Sequence, residues 1–136
     1  MAWVVDSCLL IDIAENDPTF GRKSASLLDS KFSDGLILCP ISYIELSPVF
    51  EGQTRLQEEF LKNLGIHWLE PWLWQDTKMA YDTWHHYVLQ KRLGKVTKRP
   101  IADILIGSFA VRFQGLLTRN EHDFNKTFPK LKLVSY

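Results

Sequence analysis

The sequence lacks the features of a membrane protein and of a disulfide-stabilised secreted protein. No apolar span is long enough to cross a bilayer, and the N-terminus has neither the basic region nor the apolar core of a signal peptide. Only two cysteines occur, Cys8 and Cys39, each in an apolar run and without CxxC or CxxH spacing. We expect buried free thiols, which suit a reducing compartment. These absences predict a cytoplasmic protein that makes no contact with membranes.

Other absences limit the class of function. The sequence has no internal repeat, no low-complexity segment and no GxxxxGK[ST] or GxGxxG loop, so nucleotide hydrolysis and dinucleotide binding lack their essential motif. The 16 basic residues are balanced by 16 acidic residues. Nucleic-acid binding would therefore depend on a local basic patch rather than on net charge. The 136 residues are enough for a real hydrophobic core, and we expect a single domain spanning residues 1–136.

Short apolar runs alternate with helical patterns along the chain. The runs are followed or preceded by turn residues and read as strands, whereas the longer segments between them have apolar residues at helical spacing. This alternation predicts an α/β fold, a three-layer α/β/α sandwich with a central, mostly parallel sheet. The predicted strands are AWVV, LILCP, IHWLEP, GLLT and LKLVSY; the main predicted helices are SCLLIDIAEN, residues 20–32, a helix starting at ISYIEL and limited by Pro48, TRLQEEFLKNLG, residues 74–93 and IADILIGSFAVRF, with a short helix in RNEHDFNKTFP.

Acidic residues recur where predicted strands end and helices begin. Ligands of open α/β sheets bind at the carboxyl ends of the strands, so the fold would bring these side chains together. Two carboxylates about 5 Å apart repel by roughly 3 kcal/mol at an effective dielectric near 20, and a divalent cation would relieve that repulsion. Carboxylate oxygens with open water positions suit Mg²⁺ or Mn²⁺, which can promote hydrolysis of a phosphate bond. The residues are Asp6, Glu45, Asp103 and Asp123, with Asn120 close to the last.

Each of these residues also has a local explanation. Asp6 or Ser7 could cap the first helix, and Ser42-x-x-Glu45 matches a capping box. Asp103 would lie in the first turn of its helix, where the dipole favours a negative charge, although that helix is apolar almost all round and would partly bury the carboxylate. Asn120 could cap the short helix that contains Asp123. Asp12 should face away from Asp6, about 1.7 turns along the same helix.

Four motifs in order, VVDSCLLIDI, CPISYIEL, RPIADILIGSFA and LLTRNEHDF, resemble those of the PIN domain, in particular the VapC-type ribonuclease toxins of toxin–antitoxin pairs. The resemblance spans essentially the whole chain. It implies a PIN-like α/β/α sandwich and metal-dependent endonuclease activity on RNA, with Mg²⁺ or Mn²⁺ as the cofactor. By the same resemblance, Asp6, Glu45 and Asp103 would form the carboxylate core and Ser7 or Thr118 would support it.

The fourth acid departs from the pattern of many relatives. They carry an acid two residues after the threonine of the TR motif, where this chain has Asn120. Asp123 is the nearest replacement, so the fourth position is open between Asn120 and Asp123. A missing fourth acid would weaken metal binding.

The resemblance also implies partners, namely an RNA substrate, a cognate antitoxin and a second copy in a homodimer. The densest basic stretch, residues 91–99, is by default a solvated loop, but its position just before the Asp103 helix would allow phosphate contacts. The tryptophans at 68, 72, 74 and 84 suit either an interface or the core, and core packing is favoured. The candidate RNA contacts are Lys95, Lys98, Arg99 and Arg119.

Three functions compete at this stage. The first is a metal-dependent endoribonuclease, and the second is a PIN-fold RNA-binding or scaffold protein with weak or no catalysis, suggested by Asn120. The third is a receiver-type phosphoacceptor, which also places acids at strand ends but usually has adjacent acids after its first strand. The sequence favours the first.

Overall fold

The computed structural model describes residues 1–92 and 101–136. Lys95, Lys98 and Arg99 of the basic stretch lie outside the described residues, as does Pro100. The described strands are β1 (Trp3–Val5), β2 (Leu36–Ile37), β3 (Ile66–His67), β4 (Gly115–Leu117) and β5 (Leu133–Val134); the helices are α1 (Ser7–Ala14), α2 (Gly21–Lys31), α3 (Pro40–Glu45), α4 (Thr54–Asn63), α5 (Trp74–Arg92), α6 (Ile101–Ala110) and α7 (Glu121–Thr127), with a 3₁₀ turn at Phe32–Asp34.

The five strands form one sheet in the order β3-β2-β1-β4-β5, and every pairing is parallel. In the central strand, Val4 lies opposite Ile37 of β2 and Leu116 of β4. β2 and β3 are added on one side of β1, and β4 and β5 are then added on its other side. The switch point of the topology therefore lies between the carboxyl ends of β1 and β4, where open α/β sheets bind their ligands.

The side chains of each strand alternate between two buried faces of the sheet, as the strand period of two requires. Trp3 and Val5 point to one face, and Val4 points to the other. Because both faces are covered, the strands read as continuous apolar runs, and the predicted three-layer α/β/α fold is confirmed. One face packs against Leu9, Leu10, Leu27, Leu28 and Leu61 of α1, α2 and α4; the other packs against Ile106, Phe109, Phe124 and Phe128 of α6, α7 and the residue after α7.

Helix boundaries follow local signals in the sequence. Pro40 begins α3 at its first position, where its missing N–H is no loss, and α3 ends at Glu45, before Pro48, as predicted. Gly65 follows α4 with φ of 72°, a conformation that favours glycine at the end of a helix. A side chain at Gly65 would also meet the ring of Phe32. These signals fix where the chain turns back toward the sheet.

The predicted capping box at Ser42 and Glu45 is wrong. Cys39, rather than Ser42, occupies the N-cap position of α3, so Ser42 lies inside the helix. The Ser42 hydroxyl is buried and has no hydrogen-bond partner among the described residues. Glu45 is the last residue of α3 and bonds to another helix instead. The motif does not cap α3 because Pro40 begins the helix before Ser42, and Glu45 contacts Ser7 instead.

Of the four tryptophans predicted to lie in the core or at an interface, two are packed against the core and two are exposed. Trp68 packs against the core on the α1 side, and Trp72 is stacked on Phe109 with ring centroids 6.3 Å apart. Trp74 and Trp84 on α5 are 75% and 38% exposed. Core packing therefore accounts for two of the four. No helix within residues 1–92 or 101–136 is long and apolar enough to cross a membrane.

A buried ion pair joins the start of α5 to the segment after α6. Arg112 donates from Nε and Nη2 to the two carboxylate oxygens of Asp76, at 2.7 and 2.9 Å. Asp76 is buried and also accepts the backbone N–H of Leu73. The guanidinium lies 5.0 Å from the ring centroid of Phe109. Bidentate pairing and ring contacts hold this arginine in one orientation.

Asp76→Asn is expected to lower the free energy of unfolding by about 3 kcal/mol, because breaking a buried pair leaves Arg112 without its counter-charge. Glu59→Gln is the matched control, because it breaks an arginine pair whose side chains are 88% and 56% exposed. The control should change stability by less than about 0.5 kcal/mol. Urea unfolding near neutral pH measures both, and equal losses would contradict the burial argument.

Candidate active site

Asp6 is a buried carboxylate at the carboxyl end of the central strand. It occupies the N-cap position of α1 with extended backbone, but its side chain makes no capping hydrogen bond. Its Oδ2 accepts instead the hydroxyl of Thr118 at 2.6 Å and the thiol of Cys8 at 3.3 Å. Burial raises the pKa of Asp6 above its usual range, and these two hydrogen bonds oppose the rise only in part. The backbone N–H groups of Ser7 and Cys8 at the start of α1 also lower the pKa of Asp6, by less than the two side chains do.

Thr118 lies at the carboxyl end of the neighbouring strand and is fully buried. Its Oγ1 donates to Asp6 and accepts the backbone N–H of Asn120 at 2.9 Å. Asn120 is at the N-cap position of α7, where its side chain makes no capping hydrogen bond. The parallel pairing of β1 and β4 creates this contact, because it brings two strand ends together that are more than a hundred residues apart in sequence.

Glu45 comes to the same edge from the end of α3. The hydroxyl of Ser7, the residue after Asp6, donates to its Oε1 at 2.9 Å. Burial raises the pKa of Glu45, the hydrogen bond from Ser7 opposes this, and the nearby charge of Asp6 adds a further rise. The two carboxylates are therefore close enough to interact electrostatically. We call Asp6, Ser7, Cys8, Glu45 and Thr118 the Asp6 cluster.

Cys8 was expected to be a buried free thiol. Both cysteines are free and Cys39 is buried, but Cys8 is half-buried and its thiol faces Asp6. Burial and then the charge of Asp6 raise the pKa of Cys8 to about 12, so the sulfur is a protonated donor at neutral pH. Its position two residues after an acid at a helix start was the signal in the sequence, and the surrounding apolar run obscured it.

The two remaining predicted acids lie near the sheet edge in sequence but differ in exposure. Asp103 is half-buried in the first turn of α6, and Asp123 is exposed in the first turn of α7. Across residues 1–92 and 101–136, no group of three or more His, Cys, Asp and Glu side chains is arranged to hold a metal ion. Asp6 and Glu45 come together at this edge through the Ser7 hydroxyl and through the interaction of their charges.

Arg119 follows Thr118 and points away from the Asp6 cluster. It donates from Nε and Nη2 to the two oxygens of Asp12, at 2.8 and 2.9 Å, and lies 4.4 Å from the ring centroid of Phe20. Asp12 is only 3% exposed. The Asp12 side chain faces Arg119 and Ser24 rather than Asp6, in agreement with the prediction from helical spacing. The guanidinium that was a candidate RNA contact is already paired.

The Asp6 cluster has the donor set that a hard divalent cation accepts. Asp6 and Glu45 repel each other, and the groups that bond to them, the Thr118 and Ser7 hydroxyls and the Cys8 thiol, are all uncharged. Mg²⁺ commonly binds through one or two carboxylates and keeps several waters. Two oxygen ligands therefore suffice for a fit, although they make the site a weaker one than four acids would.

No family model matches the sequence, and no curated protein is detectably similar to it. A solved structure has a similar fold, that of VapBC2 from Rickettsia felis bound to a DNA fragment from their promoter. The TM-score is 0.63, with 19% sequence identity over 100% of this chain and 99% of the other. The chain has the PIN-like α/β/α fold that the sequence predicted.

The PIN fold also separates this chain from a receiver domain. Receiver domains have the flavodoxin-like strand order 2-1-3-4-5, whereas this sheet has the order 3-2-1-4-5. The third hypothesis from the sequence therefore loses its structural basis. The Asp6 cluster lies at the carboxyl ends of β1 and β4, which is the edge of the sheet where ligands of open α/β sheets bind.

The raised pKa values of Asp6 and Glu45 predict how stability depends on pH in metal-free protein. An acid whose pKa is higher in the folded state loses its proton at a higher pH when folded than when unfolded. The free energy of unfolding therefore falls as the pH rises from about 4 through the raised pKa values. Asp6→Asn should remove much of this fall and be more stable than wild type near neutral pH. Urea unfolding in the presence of a chelator, at several pH values, measures the effect.

Asp17→Asn is the control, because its effect on the free energy of unfolding near neutral pH should be opposite to that of Asp6→Asn. Backbone N–H groups of Phe20 and Thr19 lower the pKa of Asp17, so its carboxylate stabilises the fold above about pH 4 and the benefit is lost as pH falls. Its substitution should destabilise the protein near neutral pH. An Asp6→Asn variant that was equally destabilised there would show that the Asp6 charge is not unfavourably buried.

Proposed function

We propose that this protein is a Mg²⁺- or Mn²⁺-dependent endoribonuclease and the toxin of a toxin–antitoxin pair. The observation that carries the proposal is the pair of carboxylates, Asp6 and Glu45, joined through Ser7 at the switch point of a PIN fold. A buried acid with a raised pKa beside a second acid is a candidate functional site. The reaction class is hydrolysis of an RNA phosphodiester bond.

Asp6 and Glu45 would hold the metal ion in this proposal. When bound, such a cation activates water and neutralises charge on a phosphodiester. Thr118 and Ser7 fix the two carboxylates, since each hydroxyl donates to one of them. Asp103 and Asp123 are proposed as further acids of the same site and Asn120 as a supporting residue, on the strength of their positions at the starts of α6 and α7.

RNA contact is proposed for the basic residues near the Asp103 helix. Lys95, Lys98 and Arg99 precede α6 in sequence, and cations there would contact phosphates without reading the sequence of the RNA. Arg119 is a weaker candidate, because two of its nitrogens already bond to Asp12. With no excess of positive charge on the whole chain, such local contacts would provide the affinity.

A cognate antitoxin and a second copy of the chain are the proposed protein partners. The similar structure is a VapBC2 complex with promoter DNA, which supports an antitoxin partner by analogy of fold. On α5, Trp74 and Tyr81 are each 75% exposed and seven residues apart, so they lie on one face of the helix. Exposed aromatic side chains are enriched among residues that dominate binding energy.

Metal binding and cleavage test the proposal together. Mn²⁺ or Mg²⁺ should raise the melting temperature of the wild type and support cleavage of single-stranded RNA. Asp6→Asn and Asp103→Asn should each lower the cleavage rate at least a hundredfold, and Asp6→Asn should also remove the metal-induced thermal shift. Asp29→Asn, on α2, is a surface control that should behave as the wild type. Absence of cleavage across a metal series, with thermal shifts unaffected by these substitutions, would refute the proposal.

A PIN-fold RNA-binding protein without catalysis is the second candidate. It is favoured by the absence, within the described ranges, of a three-residue metal cluster and by Asn120 in place of an acid. RNA binding that persists in a chelator and is unchanged by Asp6→Asn would support this candidate over the nuclease. RNA binding that requires metal and Asp6 would exclude it.

A further inference from the structure

Arg119 connects two parts of the molecule through its side chain. The guanidinium makes a bidentate pair with Asp12 in the middle of α1, and it lies over the ring of Phe20, which precedes α2. Asp12 also accepts the hydroxyl of the fully buried Ser24 at 3.1 Å, and Ser24 shares a hydrogen bond with Tyr136. Arg119 thus joins a hydrogen-bond network formed by α1, α2 and Tyr136.

The residues on either side of Arg119 belong to the candidate active site. Thr118 donates to Asp6, and the backbone N–H of Asn120 donates to Thr118. The backbone N–H of Arg119 itself lies against the Cys8 thiol and lowers its pKa in part. The segment 118–120 is therefore in contact with the first turn of α1 through its main chain and the Thr118 hydroxyl.

These contacts attach one short segment to α1 at two separate places. Thr118 contacts Asp6 at the start of the helix, and Arg119 contacts Asp12 about 1.7 turns further along. The Thr118 N–H bonds to Val134 of β5, which anchors the segment on the side of the sheet, and the pair with Asp12 anchors it on the side of α1. Two attachments fix both its distance and its angle, and a bidentate arginine supplies more geometric constraint than a single hydrogen bond. The orientation of the Thr118 hydroxyl toward Asp6 is set in this way.

We infer that Arg119, through its ion pair with Asp12, is a positioning residue for the Asp6 carboxylate. This rests on the proposed function only as far as Asp6 binds a metal ion. The Arg119 guanidinium bonds to Asp12 rather than to Asp6. Outer residues that orient metal ligands typically change metal affinity by about 10- to 100-fold when replaced. Thr118 bonds directly to Asp6, whereas Arg119 acts on Asp6 only through Thr118. We therefore expect replacement of Arg119 to change metal affinity by a factor near the lower end of that range.

The test measures Mn²⁺ affinity and backbone protection in the same variants. Arg119→Gln should weaken Mn²⁺ binding about tenfold, measured from the signal of free Mn²⁺ in electron paramagnetic resonance. Arg119→Lys should recover part of the affinity, since it keeps the charge but not the planar fork. Amide hydrogen exchange should become faster at Asn120 and Asp6, relative to Leu38, whose N–H bonds to His67 on the other side of the sheet.

Asp76→Asn is the matched control, because it also breaks a buried bidentate Asp–Arg pair. Its partners are Arg112 and Leu73, and it makes no hydrogen bond to the Asp6 cluster. It should lower global stability while leaving Mn²⁺ affinity and the ratio of Asn120 to Leu38 exchange unchanged. The comparison separates a positioning effect from simple destabilisation.

Each outcome decides one question. If Arg119→Gln and Asp76→Asn change Mn²⁺ affinity equally, or if exchange at Asn120 and Asp6 does not accelerate relative to Leu38, the positioning role is overturned. If the wild type binds no Mn²⁺, the proposed metal site fails, and the exchange ratio alone decides the positioning role. If Arg119→Gln does not fold, the same comparison is made with Arg119→Lys, for which a smaller change in the same direction is expected.

Discussion

The burial of the Asp6 carboxylate is the constraint on which the rest of the site depends. A charged group removed from water needs hydrogen bonds, and an arginine or lysine would be the usual way to supply them. Here the side chains that bond to it are a hydroxyl and a thiol, and the backbone N–H groups of Ser7 and Cys8 add to them; all of these groups are uncharged. The carboxylate is thus held in place with its charge left uncompensated by these partners. That is the condition under which an acid remains available to a cation.

Two other contacts near the sheet edge also leave the charge of the Asp6 carboxylate without a positively charged partner. They are the bond from Ser7 to Glu45 and the pair of Arg119 with Asp12. Ser7 fixes Glu45 beside Asp6 without neutralising it. The arginine closest in sequence to the cluster, Arg119, is turned away and paired with a different aspartate. Had Arg119 paired with Asp6, its positive charge would have compensated the charge of the Asp6 carboxylate. The two buried Arg–Asp pairs of the described chain, at Asp12 and Asp76, carry the structural role that Asp6 does not.

Much of the fold could be predicted because its signals are local or periodic. Continuous apolar runs indicated strands covered on both faces, and Pro40, Pro48 and Gly65 set helix boundaries. The positions of Asp6 and Glu45 at one sheet edge also followed from strand order. The partners of these residues could not be predicted, because they depend on contacts between strands and helices far apart in sequence. Ser42 is the clearest case: its motif indicated a cap for α3, but Pro40 begins that helix before Ser42 and Glu45 contacts Ser7 instead.

The two hydrogen bonds of the Thr118 hydroxyl restrict which amino acids can occupy position 118. Its oxygen accepts from the Asn120 N–H, so its own proton is directed to Asp6, and the chain of hydrogen bonds runs in one direction. Only a side chain that donates and accepts at the same atom can occupy this buried position. Threonine and serine meet that requirement, whereas valine has the same shape and meets neither part of it. Among distant sequences with this fold, position 118 should therefore vary less than the apolar positions around it, although it is just as deeply buried.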